Sequence, residues 1–179
     1  MSPFLKTDRL MLRPEEISDA ARIAHFTGDY AVAQMIGGQS FPNFAASVEG
    51  RILINQARAP LGLEHMFAVD QPGQGLIGGA AAFLRGSEGI EIGYWLGRPY
   101  WGRGYGQEVA AAIRDFARAL EVGPVFACYA DDNPASARVL EKVGFVATGA
   151  IETRYSLARR AQVRCVMMQV PRGDRRQAA

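Results

Sequence analysis

Three glycines at alternating positions, Gly102, Gly104 and Gly106, lie in the stretch WGRGYG between a strand-like run and a helix-like run. Glycine lets a backbone approach an anion closely, and the free amides at a helix start point toward it. A strand, a glycine-rich turn and a helix in that order make a device for holding phosphate. Two common versions are excluded by spacing. The dinucleotide fingerprint GxGxxG fails because Gln107 stands where the third glycine belongs. The nucleotide P-loop fails because no Lys-Ser or Lys-Thr follows the glycines.

Other chemistry is thinly represented. Glu91 precedes the loop on a strand whose Ile90 and Ile92 face the opposite way, so its carboxylate is a candidate base at a cleft, acting through a water. Glu88, Glu64 and His65 are weaker candidates. The only histidines, His25 and His65, stand in no ligand motif, and Cys128 and Cys165 make no metal spacing, so no metal is expected. No GxSxG elbow occurs. The ordinary alternative for Glu91 is an exposed sheet residue; for the glycine loop it is a tight turn.

The elements that must position these groups follow from periodicity. Leu5–Leu12 reads as a first strand. Ser18 is an N-cap candidate for a helix that Gly28 closes, and a second helix spans about Phe44–Arg58. Three strands then follow as a meander: His65–Val69, Leu76–Leu84 and Ile90–Leu96. Gly78-Gly79 and the alanines beside them imply close packing, and Gly93 reads as a bulge. After the loop, Val109, Ile113, Phe116 and Leu120 give a helix its buried stripe. Val125–Ala130 is a strand. Asn133 caps a helix with Pro134 at its first position and Gly144 at its end. Phe145–Ala147 starts a strand, Glu152–Gln162 is a polar loop, and Val163–Val170 is the last strand.

The loop resembles the pyrophosphate loop of the GNAT acyltransferases, (Gln or Arg)-x-x-Gly-x-(Gly or Ala), with Gly104 and Gly106 in the glycine positions and Trp101 where that family has Gln or Arg. A second stretch, from Asn133 to Phe145, resembles that superfamily's motif Asn-x-x-(Ala or Ser)-x-x-apolar-(Tyr or apolar)-Glu-Lys-x-Gly-Phe. YWGRGYGQE is most similar to the ribosomal-protein-alanine acetyltransferase branch. The resemblance implies an α/β (α+β) fold with a mixed, strongly bent sheet of six to seven strands flanked by helices. It implies acetyl-CoA as cosubstrate. Tyr94, Trp95 and Leu96 would hold the pantetheine arm, and Trp101, Gly102, Arg103, Gly104, Tyr105 and Gly106 the pyrophosphate. Asn133 belongs to the same cofactor-side motif, with Arg103 and Arg138 candidates for the outer phosphates. Many relatives use a tyrosine at the position of Leu140 to serve the departing thiolate. That tyrosine is absent here, and Ser136, placed as in the ribosomal-protein branch, is the candidate to stabilise or protonate the sulfur. A first-turn serine that bonds only local backbone is the alternative.

The resemblance therefore implies an N-acetyltransferase acting on a primary amine. A protein N-terminal α-amine is favoured, and a polyamine, a drug or a small metabolite stays open. An acyl-CoA-binding sensor with little catalysis is the rival from a different class. With 179 residues, 49% of them hydrophobic, one domain over residues 1–171 is expected, followed by a basic, disordered tail over 172–179. The net charge of +2 does not suggest a nucleic-acid partner, and the apolar runs are too short to span a bilayer. Two unpaired thiols fit the cytoplasm. Homodimerisation is compatible with the resemblance, though no sequence pattern specifies it. Arg159, Arg160 and Arg164 border the acceptor side and would suit an acidic protein surface.

Overall fold

The structure, a computed structural model, describes residues 3–171. The basic tail expected at 172–179 lies outside the described residues. Eight strands form one mixed sheet in the order β1-β2-β3-β4-β5-β6-β8-β7. They are β1 Leu5–Lys6, β2 Met11–Pro14, β3 Glu64–Gln71, β4 Gly75–Leu84, β5 Ile90–Leu96, β6 Val125–Ala130, β7 Val146–Ser156 and β8 Ala161–Gln169. The helices are α1 Ala20–Thr27, α2 Tyr30–Ala33, α3 Ala45–Arg58, α4 Tyr105–Ala119 and α5 Pro134–Lys142. Strand count exceeds the expected six or seven because Leu5–Leu12 is not one strand. The Thr7 amide donates to the Leu10 carbonyl and the Leu10 amide to Thr7 Oγ1, folding the segment into a hairpin.

Other local expectations shift for physical reasons. Ser18 does not cap the first helix. Asp19 accepts the Glu16 amide at 2.8 Å and also pairs with Arg13, so its buried carboxylate organises the entry. The segment expected as a loop over Glu152–Gln162 is largely strand: β7 runs to Ser156 and only a short turn separates it from β8. β7 is a sheet edge and mostly exposed, so its polar residues violate no burial rule. Gly93 is not a bulge, because the β4–β5 register passes unbroken through Ala81 opposite Gly93.

Small residues in β4 answer to what covers them. A Cβ at Gly79 would meet the Trp95 indole at 2.6 Å, and one at Gly78 would meet the Trp95 carbonyl at 2.3 Å. α4 crosses the other face. Its Val109, Ala110 and Ile113 are wholly buried, and burying Val or Ile contributes roughly 1.5–3 kcal/mol each. That packing aims the N-terminus of α4 at the C-terminal end of β5.

Candidate active site

β5 and β6 form the one parallel pair among the described residues, and they pair only through Ile90–Val125, Glu91–Phe126 and Ile92–Ala127. Beyond that point they diverge. Gly93–Leu96 keeps its partner β4, and Cys128–Ala130 keeps β8. The facing edges are thus free to receive a ligand's polar groups. A cavity of about 570 Å³ passes through this fork, with Tyr94 and Trp95 on one edge and Tyr129 and Ala130 on the other.

The glycine loop stands at the tip of β5. Gly97 lies against the Phe26 ring, where a Cβ would meet ring carbons at 2.6–2.8 Å, and Trp101 Nε1 donates to the Leu96 carbonyl at 2.8 Å. Gly102 and Gly104 take φ of 73° and 80°, the left-handed region that favours glycine. Gly104 is the N-cap of α4. Gly106 serves packing instead: its hypothetical Cβ lies 3.7 Å from Val139 and 3.9 Å from the Tyr94 ring. Tyr105 is buried, while Trp101, Arg103 and Arg138 are exposed. Neither arginine forms an ion pair among the described residues.

Sequence reasoning missed a brace behind the loop. Glu108, in the first turn of α4, accepts from Thr7 Oγ1 and from the Arg9 amide at 2.7 Å, and pairs with the Arg9 guanidinium at 2.8 Å. Arg9 also donates to the Arg103 carbonyl at 3.1 Å and lies over the Tyr105 ring. About a hundred residues separate these partners. No local signal announces the contact.

Ser136 and Tyr94 meet at the fork. Asn133 caps α5 by accepting the Ser136 amide at 3.1 Å, and this presents Ser136 Oγ 3.3 Å from Tyr94 Oη. Burial pushes the Tyr94 phenol up to about 12, against a smaller opposing effect of the Ser136 bond. The phenol therefore stays protonated and able to donate. Leu140 is 1% exposed and belongs to the core.

Glu91 does line the cavity, but its carboxylate is engaged on both oxygens. Arg154 reaches Oε1 at 2.5 Å and Oε2 at 3.0 Å, Arg85 reaches Oε2 at 3.0 Å, and the Cys128 thiol lies 3.5 Å from Oε1. Burial, with the Glu91 charge second, pushes the Cys128 thiol up to about 12. Glu64 lines the same space, paired with Arg58 at 3.1 Å, and Glu15 pairs with Arg51 at 2.7 Å. His65 lies on the other face of the sheet, edge-on to Phe116, and burial lowers its pKa. Two of the three arginines expected to greet an acidic surface are already committed: Arg159 to Asp132, and Arg164 to Asp131 at 3.4 Å. Among the described residues no group of three or more His, Cys, Asp or Glu is arranged to hold a metal, and no helix is long and apolar enough to cross a membrane.

The family defined as the acetyltransferase (GNAT) domain matches residues 9–146. The chain belongs to the GNAT family. This GNAT acetyltransferase is 43% identical over 56 residues to YkkB of Bacillus subtilis (strain 168), an uncharacterised protein; the match covers 31% of this chain and 33% of YkkB. Its fold is similar to the ribosomal-protein-S5-alanine acetyltransferase from Vibrio fischeri, at TM-score 0.81 and 21% identity over 97% of this chain and 98% of that one. It is also similar to Mycobacterium smegmatis RimJ in complex with CoA-disulfide, at TM-score 0.80 and 21% identity over 94% and 85%. The mixed eight-stranded sheet of this acetyltransferase is thus a GNAT sheet, one strand beyond the expected range.

Proposed function

We propose that this acetyltransferase uses acetyl-CoA to acetylate a primary amine, and that the favoured amine is the α-amine of a protein or peptide. The observation that carries the reading is the junction of three features: the β5–β6 fork, the left-handed glycine loop, and the Ser136–Tyr94 hydroxyl pair where they meet. Loop amides from Trp101 to Gly106 would hold the pyrophosphate, and the open edge at Tyr94–Leu96 the pantetheine amides. Holding both reactants in register lowers a barrier by roughly 7–11 kcal/mol.

The amine's lone pair forms a bond to the thioester carbonyl carbon, and the carbon–sulfur bond then breaks. Ser136 Oγ gives its proton to the departing sulfur and takes one from Tyr94, and Tyr94 regains its proton from solvent, where the acylated nitrogen sheds the one it no longer needs. Glu91 enters as a fixed charge rather than the base, since protonating it would break pairs to Arg85 and Arg154. An α-amine, with a pKa of about 8 against about 10.4 for lysine, sheds its proton to solvent through the open cavity.

The acceptor reading draws on charge. Glu15, Glu64 and Glu91 each have an arginine partner, which leaves the cavity wall with little attraction for a polycation. The V. fischeri enzyme, by its name an acetyltransferase of a ribosomal-protein alanine, points the same way. Calorimetric titration with acetyl-CoA, followed by acetylation assays on an N-terminal alanine peptide and on spermidine, tests this. Saturable binding with faster peptide turnover is expected. Binding without turnover on any amine would instead mark an acyl-CoA-binding module, and absence of binding would end the reading.

A further inference from the structure

We infer that Arg159 is a positioning residue that fixes the acceptor wall relative to the helix carrying Ser136; the inference rests on the amine-acetylation reading above. Arg159 sits in the turn between β7 and β8, with its side chain only 15% exposed. Its amide donates to Ser156 Oγ at 3.3 Å, and Ser156 is itself buried. The guanidinium spans two other segments. Nε donates to the Gln34 carbonyl at 2.9 Å, while Nη1 and Nη2 grip the two Asp132 oxygens at 2.6 and 3.0 Å. Nη2 also lies 3.6 Å from Met35 Sδ.

The places joined matter more than the number of bonds. Gln34 and Met35 begin the stretch 34–39, which lines the cavity. That stretch leads toward α3 without a strand of its own, and its Gly37 and Gly38 have nothing within 4 Å of where a Cβ would stand. Its position is therefore set mainly at its ends. Asp132 is followed directly by Asn133, whose side chain holds the Ser136 amide. One planar guanidinium thus sets the spacing between the wall an amine would rest on and the hydroxyl that serves the sulfur. A bidentate arginine–carboxylate pair fixes orientation as well as distance, which a lysine does not. The same pair holds the Asp132 carboxyl below the usual carboxylate range. An arginine so committed is not a recruiting charge for an acidic partner.

Arg159→Met and Asp132→Asn should each raise the acceptor KM about tenfold, with the acetyl-CoA Kd within about twofold of the wild type. The double variant should cost no more than either single one, since both remove one linkage. Arg159→Lys should recover part of the loss, because an ammonium reaches Asp132 or the Gln34 carbonyl but not both in one plane. Hydrogen exchange read without substrate supplies a measure independent of turnover: in Arg159→Met, amides of 34–39 and of 131–136 should exchange faster together. An unchanged acceptor KM, an equal loss of acetyl-CoA affinity, or faster exchange in only one segment would overturn the inference. A wild type that acetylates nothing, yet whose two segments loosen together in Arg159→Met, would count against the proposed reaction and leave the linkage standing.

Discussion

The two sides of the proposed site are built by opposite means. The proposed cofactor side is a contiguous run, Tyr94 to Gly106, in which backbone conformation and a helix start would do the work. The proposed acceptor side is assembled from side chains far apart in the chain: Glu15 with Arg51, Glu91 with Arg154, Arg159 with Asp132 and Gln34. A site made of backbone tolerates changes at most side chains and none that alter φ. A site made of ion pairs keeps its backbone freedom but depends on both members of each pair. On the proposed reading, shared chemistry would reside on the first side while acceptor choice varies on the second.

The contrast breaks most sharply at Gly104. Gly104→Val forces a branched residue into φ near 80° at the start of α4, and acetyl-CoA affinity measured by calorimetry should fall by more than about a hundredfold in a chain that still folds. Next comes the hydroxyl pair. Ser136→Ala combined with Tyr94→Phe should lower kcat by about a hundredfold with the acetyl-CoA Kd unchanged, as expected for proton transfer. Because the phenol sits near 12, wild-type rate should show no basic limb from Tyr94 near pH 10; a limb there would refute the assignment. On the proposed acceptor side, Glu91→Gln leaves the Arg154 guanidinium half-buried with one strong partner fewer. The cost should be about 2 kcal/mol, below that of a fully buried pair because Arg154 keeps Glu152 and some solvent, or about 4–8 °C in melting temperature. Acetyl-CoA binding should survive it. The smallest effect is expected at His65, whose folded pKa is lowered by burial. It contributes stability above about pH 6.5 that is lost as pH falls, so His65→Leu should melt with a shallower decline between pH 7.5 and 5.5 than the wild type.

That same division explains what was legible in the residues alone. Asn133 and Pro134 announced α5, and the alternating glycines announced the loop, because each acts on backbone within a few positions. Glu91 was readable as facing a cleft from its strand neighbours. Its occupation by Arg85 and Arg154 was not, since Arg154 lies 63 residues later on a strand whose polar edge reads as loop. Tyr94 was assigned to the strand end, but its hydroxyl becomes informative only once α5 brings Ser136 across the fork. The Thr7–Leu10 hairpin went unread for a different reason. It contains no glycine or proline, and a threonine hydroxyl closes it.

The three-rung junction between β5 and β6 has a consequence for what an occupant of the fork does to the sheet. It joins an antiparallel half, β1 to β5, to a second half of β6, β8 and β7. The seam itself is short, and α4, whose buried face packs on β4, β5 and β6, carries the core across it. On the proposed reading, a molecule lodged in the fork touches the free edges of both halves. Its binding free energy is then added to the seam itself, which makes occupancy a fastener of the sheet as well as the start of a reaction.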